Sequence, residues 1–379
     1  MTLACQRALF DLPDDLVYMN CAAQSPSLEA SHEAGMKGLS RKFHPWDPER
    51  QALSGEMERC RELVAGLLPG AQARDIAFVF STSYGVAVAK ANYSIKPGQE
   101  VLVLDGQFPS NYYAWTLLAE RDGGKLKVVA RPDDFDWTPR VLEAIGPDTG
   151  LVALPTCHWM DGSLLDLAAI SDRCREVGAP LFVDATQTLG VVPFDLERIR
   201  PDYVVASAYK WLLSPDMMGY MYVAPWRQDG LPIEENHSTR SGGPKMEFSP
   251  GYGPDYVDGA RRFDMGASDS MIHTPMSMKA LEQITEWGPA NIAAGIEPVI
   301  DRIAEAAEER GFRVPPKSAR SDHFIGLWPA SQLEPDIAKR LAARGVHVAL
   351  RGGAIRVSPY LYNDESEVEP LFAALDACL

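Results

Sequence analysis

The chain of 379 residues is long enough for one large core or two domains, and too long for a single small module. Hydrophobic residues make up 46% and charged residues 23% of it, as in ordinary soluble globular proteins. The formal net charge of −16 argues against nucleic acid as a partner, because phosphate backbones require a positive protein surface. A local basic pocket for a small anion stays compatible with this charge.

The cysteines and the N-terminus indicate the cellular compartment that we expect for the protein. Six cysteines are spread along the chain without a Cys-x-x-Cys pair, so we expect free thiols in a reducing cytosol and predict no metal site. The first 20 residues lack a basic start followed by an apolar core, so we expect no signal peptide. No run reaches the roughly 18 apolar residues of a membrane span. We therefore expect a cytoplasmic protein without a membrane partner.

The first two thirds of the chain have the pattern of a buried sheet. A helix is predicted over 51–68, where apolar residues recur near helical spacing. Seven apolar runs typical of buried strands follow: 76–81, 101–105, 126–130, 151–156, 181–185, 203–207 and 219–223. Helical segments separate most of them, and one of these segments, 164–178, ends at Gly178. Buried strands alternating with helices predict an α/β domain with a mostly parallel, seven-stranded sheet.

The remainder of the chain changes in character. The segment 236–262 is rich in Gly, Pro and polar residues, which predicts a long irregular loop. Its aromatic and basic residues either line a substrate entrance or belong to a solvated loop: His237, Arg240, Lys245, Tyr252, Tyr256, Arg261 and Arg262. Helices over 275–288 and 366–379, with short strands near 323–329 and 354–359, predict a smaller α+β domain.

Polar residues follow several strands, where open parallel sheets place functional groups. Ser81, Thr82 and Ser83 follow the first strand at a helix start, which suits an anion such as phosphate or is a plain helix N-cap. His158 follows the fourth strand, either as an acid/base or ring-stacking group or as a core histidine. Neither pattern alone decides the function.

Two charged residues end the fifth and sixth strands. Asp184 needs a cationic partner if it is buried, or else caps the next turn. Lys210 either extends to the surface, the commoner fate of lysine, or is buried and reactive enough to form a Schiff base. A hydroxyl-rich helix start, an aspartate and a lysine in this order suit a cofactor with a phosphate, a ring nitrogen and an aldehyde. Pyridoxal phosphate has these three groups.

Four stretches carry a family resemblance: 18-YMNCAAQSP-26, 183-VDATQTLG-190, 206-ASAYKWL-212 and 355-IRVSPYLYNDESEV-368. With these motifs the chain resembles the class V aminotransferase group of fold-type-I pyridoxal-phosphate enzymes. That group includes cysteine desulfurases, kynureninases and isopenicillin-N-epimerase-like proteins. The resemblance covers nearly the whole chain and implies a homodimer with shared active sites.

The resemblance also implies a division into domains. A large α/β domain that binds pyridoxal phosphate is expected over 26–265, and a small α+β domain over 266–379. The N-terminal segment 1–25 is expected to pack on the small domain.

The resemblance further implies roles for individual residues. Lys210 is expected to form the Schiff base and to move the substrate proton, and Asp184 to keep the ring nitrogen protonated. Gln187 is expected to donate to the phenolic oxygen of the ring. Other expected cofactor-binding residues are Thr82, Ser83, Ser207 and Tyr209 at the phosphate, Phe108 against the ring, and Ser268 at the phosphate of the neighbouring subunit.

Arg356 matches the family arginine that grips the substrate carboxylate, for which its planar fork is suited. Asn20 is a further expected substrate contact, and His158 a catalytic residue. The loop 344–354 has no cysteine, although cysteine desulfurases carry their nucleophile there, which puts persulfide chemistry in doubt.

The expected activity is that of an aminotransferase acting on an α-amino acid. A Cβ lyase (a C–S lyase or a kynureninase-like enzyme) and an amino-acid epimerase remain alternatives. A non-catalytic binding protein is an alternative of another class, against which the retained Lys210, Asp184 and Arg356 argue. A nicotinamide-dependent oxidoreductase is disfavoured, because no Gly-x-Gly-x-x-Gly follows an early strand.

Overall fold

The computed structural model describes residues 3–44, 46, 52–241 and 255–379. Its strands are β1 (Val17–Tyr18), β2 (Ile76–Val79), β3 (Glu100–Leu104), β4 (Lys125–Val129), β5 (Thr149–Pro155), β6 (Leu181–Asp184), β7 (Tyr203–Ser207), β8 (Gly219–Val223), β9 (Ile325–Leu327), β10 (Val346–His347), β11 (Ala349–Arg351) and β12 (Ala354–Val357). Its α-helices are α1 (Glu29–Arg41), α2 (Ala52–Gly66), α3 (Thr82–Asn92), α4 (Pro109–Arg121), α5 (Trp137–Ala144), α6 (Leu167–Val177), α7 (Leu196–Ile199), α8 (His273–Trp287), α9 (Pro289–Glu309), α10 (Ile337–Ala342) and α11 (Val368–Asp376). None of the helices in these ranges is long and apolar enough to cross a membrane.

The central sheet has seven strands in the order β2-β8-β7-β6-β5-β3-β4. Strand β8 runs antiparallel to both of its neighbours, and the other strand pairs are parallel. The predicted mostly parallel, seven-stranded sheet is therefore confirmed, and each of its strands overlaps a predicted run. The orientation of β8 was not predicted, because an apolar run has the same appearance in either direction.

Both faces of this sheet are buried. In β5, Val152 and Leu154 belong to one apolar cluster, whereas Leu151 and Ala153 belong to another. Residues two apart on a strand share a face, so the two clusters lie on opposite sides of the sheet. Helices α3 and α4 cover the second face through buried residues such as Val88. In strands that are covered on both faces, polar side chains can reach solvent or a ligand only at the strand ends.

The C-terminal part contains a three-stranded antiparallel sheet, in the order β11-β12-β9. The N-terminal segment contacts this part of the chain, since β1 pairs with β10 and Asn20 bridges to Ser358. The Phe10 ring lies 5.0 Å from the Tyr362 ring in an edge-to-face contact. The domain boundaries at 25 and 265 stay predictions.

Candidate functional site

A pocket opens where β5, β6 and β7 end and where α3 and α4 begin. Its lining is Thr82, Ser83, Gln107, Phe108, Ser110, Pro155, Cys157, Trp159, Asp184, Thr186, Gln187, Ser207, Tyr209 and Lys210. Eight of the predicted site residues therefore meet in one place, although they come from four loops. The carboxyl ends of parallel strands lie at one edge of a sheet, which brings these loops together.

Hydroxyl groups cluster at the start of α3. Thr82 Oγ1 lies 2.6 Å from Thr186 Oγ1 and 2.9 Å from Ser207 Oγ. The Thr82 amide donates to Ser207 Oγ at 3.0 Å, and Ser83 Oγ lies 2.6 Å from Ser110 Oγ. A helix N-terminus carries partial positive charge, so this end of the pocket suits an anion. Thr186 was not predicted as a site residue, although it stands two residues after Asp184 at the same strand end.

Hydrogen bonds hold the Asp184 carboxylate in place. Its Oδ2 accepts a hydrogen bond from Asn111 Nδ2 at 2.7 Å, and its Oδ1 accepts one from the Thr186 amide at 2.9 Å. Asn111 lies in the first turn of α4 and is buried. Its contact with Asp184 was not predicted, because no sequence pattern links two residues 73 positions apart. These two donors fix the orientation of the carboxylate at the pocket.

Lys210 is buried beside two aromatic rings. Its Nζ lies 5.9 Å from the centre of the Phe108 ring and 5.6 Å from that of Tyr209. Burial, followed by the nearby charge of Arg356, lowers the pKa of the amine to about 8. A larger fraction of this amine is therefore unprotonated near neutral pH than for an exposed lysine, which makes it a better nucleophile.

The lowered pKa of Lys210 predicts a pH-dependent stability difference from Lys210→Met in the cofactor-free protein. The folded chain binds fewer protons than the unfolded chain between the folded pKa of about 8 and the unfolded value of about 10.4. The unfolding free energy of the natural chain therefore rises across this window relative to the variant, by roughly 3 kcal/mol in total. Urea unfolding of both chains at several pH values measures it, and a constant difference would contradict the lowered pKa.

The Gln187 side chain is held at both ends. Its Oε1 accepts a hydrogen bond from Trp211 Nε1 at 2.8 Å, and its Nε2 donates to the Ala22 carbonyl at 3.2 Å. Trp211 is fully buried behind the pocket and is not part of its lining. The motif 18-YMNCAAQSP-26 thus meets the motif around Gln187 through one amide.

Arg356 on β12 is buried next to this pocket, with an exposed fraction of 1%. Its Nη1 donates to the Trp159 carbonyl at 2.9 Å, while its Nε has no partner within the described ranges. Burial, followed by the charge of Arg351, lowers the pKa of Arg356 to about 9. Arg351 stands two residues after Ala349, which pairs with Arg356, so both arginines lie on one face of the small sheet. A buried cation with a second, half-buried cation beside it favours an anionic ligand.

Four predicted site residues lie outside the pocket lining: Arg356, described above, and His158, Asn20 and Ser268. Cys157 and Trp159 line the pocket, and the His158 ring between them instead stacks on Trp137 at 5.1 Å. Burial lowers the pKa of His158 to about 4. A neutral ring packed away from the pocket does not favour the predicted acid/base role, and core packing describes it better.

Asn20 and Ser268 are not among the residues that line the pocket. Asn20 bridges to Ser358, two residues after Arg356, and its Oδ1 has no partner in the described part of the chain. Ser268 is buried, and its predicted contact with a neighbouring subunit stays a prediction.

The predicted entrance loop is described only in part, since Lys245 and Tyr252 lie outside the described residues. Arg240 pairs with Glu235, and Arg261 pairs with Glu58. None of the described residues of the loop lines the pocket. Two described cations of this loop thus have carboxylate partners in the chain itself, whereas Arg262 donates to the Gly230 carbonyl.

Comparison with known proteins places these features in a family. The model of the family "Aminotransferase class-V" matches residues 47–371. Isopenicillin N epimerase of Streptomyces clavuligerus is 24% identical over 346 residues, which cover 84% of this chain and 83% of the epimerase.

Two solved structures share the fold over nearly the whole chain. The cystine C–S lyase C-DES, in complex with its product cysteine persulfide, has a TM-score of 0.86 and 20% identity, with 96% of this chain and 97% of the lyase covered. The apo cysteine desulfurase of Thermococcus onnurineus NA1 has a TM-score of 0.84 and 18% identity, with 99% and 98% covered.

Proposed function

Because the chain belongs to the class-V aminotransferase family, whose enzymes use pyridoxal phosphate, we propose that it transaminates an α-amino acid through Lys210. One observation carries this proposal. The buried Lys210 amine, with a pKa of about 8, and the hydrogen-bonded Asp184 carboxylate meet in a pocket that opens on the hydroxyl-lined start of α3.

The donors and acceptors of the pocket fit the three polar parts of the cofactor. The start of α3, with the hydroxyls of Thr82, Thr186 and Ser207, suits the phosphate. Asp184 suits a protonated ring nitrogen, and Lys210 suits the aldehyde. Two buried polar atoms at this site, Asn111 Oδ1 and Gln107 Nε2, have no partner in the described chain. When bound, pyridoxal phosphate withdraws electrons from the substrate Cα and makes its proton removable.

The arginine pair supports a carboxylate-bearing substrate. The free Nε of Arg356 offers a directional donor, and its guanidinium fork can bind a carboxylate with two parallel hydrogen bonds. Arg351 adds a second positive charge on the same face of the sheet. We propose that Arg356 binds the α-carboxylate and that Arg351 favours substrates with an additional acidic group.

The titratable groups of the pocket favour a single-base reaction. Burial raises the pKa of both Cys157 and Tyr209, so both keep their protons near neutral pH and are poor bases. Both oxygens of Asp184 already accept hydrogen bonds. Lys210 is thus the base best suited to take the proton from the substrate Cα. Epimerisation by two bases lacks a second base in the described lining, and persulfide formation lacks a cysteine in the loop 344–354.

Two measurements test the proposed function. The purified protein should be yellow or take up added pyridoxal phosphate, and borohydride reduction followed by peptide mapping should place the label on Lys210. Incubation with a panel of amino acids should then produce keto acids. Pyruvate with ammonia, or sulfide, would instead identify a Cβ lyase, and inverted stereochemistry would identify an epimerase. A bound cofactor without any product would support the non-catalytic alternative.

Exposed apolar side chains support a homodimer, which we also propose. Tyr113 and Leu117 on α4 are 65% and 54% exposed, and Phe43 after α1 is 75% exposed. Small-angle scattering at micromolar concentration should give the mass of two chains. Tyr113→Glu should shift this equilibrium towards the single chain, because it places a charge in an apolar contact. A monomeric natural chain would contradict the proposal.

A further inference from the structure

Trp211 contacts the pocket only through another residue. It follows Lys210 directly in the chain, yet its indole is fully buried and is not part of the pocket lining. Its N–H donates to Oε1 of Gln187, which does line the pocket. The indole N–H therefore has a defined hydrogen-bond partner among the residues that line the pocket.

The indole decides which way the Gln187 amide faces. An indole N–H can only donate, so the amide oxygen of Gln187 must face Trp211. The amide nitrogen then faces the other side, where one of its two N–H groups donates to the Ala22 carbonyl. The second N–H has no acceptor among the residues that the structure describes, and it is available to an acceptor in the pocket.

His323 supports the same loop from the C-terminal part of the chain. Its Nε2 lies 2.5 Å from the Gln187 backbone carbonyl, and its ring packs edge-to-face on Trp211 with centroids 4.4 Å apart. A ring nitrogen that faces a carbonyl must carry a proton, so Nε2 is the donor. Gln187 is thus held through its backbone by His323 and through its side chain by Trp211.

We propose that Trp211 is a positioning residue that keeps the Gln187 amide nitrogen directed at an oxygen acceptor of bound pyridoxal phosphate. This inference rests on the proposed function, since it requires the cofactor in this pocket. Without the indole donor, the buried Gln187 oxygen is unsatisfied, and the amide is free to rotate towards other partners. With the indole donor in place, Lys210 and Trp211 of 206-ASAYKWL-212 both act on the bound cofactor, Lys210 directly and Trp211 through Gln187.

The chain offers a matched pair of variants for the test. Trp211→Phe removes an indole N–H that has a partner. Trp115→Phe removes an equally buried indole N–H that has no partner in the described residues. Absorbance titration with pyridoxal phosphate should give about tenfold weaker binding for Trp211→Phe, the scale of one hydrogen bond, and little change for Trp115→Phe.

A spectroscopic readout separates positioning from general loss of packing. A donated N–H favours the negatively charged form of its acceptor, so its loss should raise the pH midpoint of the visible band of the bound cofactor in Trp211→Phe. In a Gln187→Leu background, adding Trp211→Phe should change neither the affinity nor the midpoint further. Equal effects of Trp211→Phe with and without Gln187 would overturn the proposal, as would equal effects of the two tryptophan variants.

Two further outcomes are distinguishable. A natural chain that takes up no pyridoxal phosphate would overturn the proposed function and this inference with it, whereas normal uptake with no effect of Trp211→Phe would overturn this inference alone. If Trp211→Phe does not fold, hydrogen exchange of the Trp211 indole N–H in the natural chain provides the test. Exchange should slow when the cofactor is added, and an unchanged rate would contradict the proposal.

Discussion

Replacing Lys210 with alanine is expected to lower kcat/KM by about 10²- to 10⁴-fold, the usual effect of losing a positioned general base. The variant should also lose borohydride-stable attachment of the cofactor, because no other amine lines the described pocket. Steady-state kinetics with the best substrate of the amino-acid panel, and mass spectrometry after reduction, measure the two effects.

Two variants control for the Lys210 result. Lys210→Arg keeps a positive charge, but its guanidinium stays protonated near neutral pH, so it should be as inactive as the alanine variant. Lys279→Ala removes an exposed lysine that pairs with Glu282 and should leave both measurements unchanged. Full activity or covalent labelling of the Lys210→Ala protein would place the reactive amine elsewhere.

Arg356→Met is expected to lower kcat/KM by roughly 30-fold or more, because truncating a buried, hydrogen-bonded charge pair costs about 2–5 kcal/mol. The free energy of unfolding of the cofactor-free protein should instead stay the same or rise. Arg356 is a buried cation without a carboxylate partner in the described residues, and burial lowers its pKa to about 9. Exchange of such a charge for an apolar side chain of similar size is neutral or stabilising, by up to about 4 kcal/mol. Kinetics and urea unfolding measure the two changes.

Arg61 provides the matched control for the stability change. It is equally buried, with an exposed fraction of 2%, but it pairs with the buried Asp264 at 2.5 Å. Arg61→Met leaves Asp264 without its cation and should destabilise the protein by about 3–5 kcal/mol. Destabilisation of the same size in Arg356→Met would mean that Arg356 has a structural role and is not held ready for an anion.

The part of the site that could be predicted from the sequence consists mainly of polar residues at the strand ends. Apolar runs marked the buried strands, and Asp184 and Lys210 stood out because each is polar directly after such a run. The resemblance added Gln187, which lies in the same loop as Asp184. Eight predicted residues consequently line one pocket.

Residues that act across the fold could not be predicted in the same way. Asn111 holds Asp184 from the start of another helix, and the backbone carbonyl of Trp159 accepts from Arg356 across 197 positions. His158 follows a strand as a functional residue would, but its ring turns away from the pocket because its neighbours face into it. The direction in which a loop side chain points depends on backbone geometry that a sequence pattern does not specify.

Local patterns in the sequence were enough to predict the mostly parallel α/β sheet and the two charged residues at its strand ends. Alternation and apolar runs are local properties, and burial on both faces leaves polar groups only at those ends. The tertiary structure alone decided which polar groups orient the charged ones. The hydrogen bonds from Asn111 to Asp184 and from Trp211 to Gln187 join distant loops. Such contacts depend on the packing of whole elements, which no local pattern records.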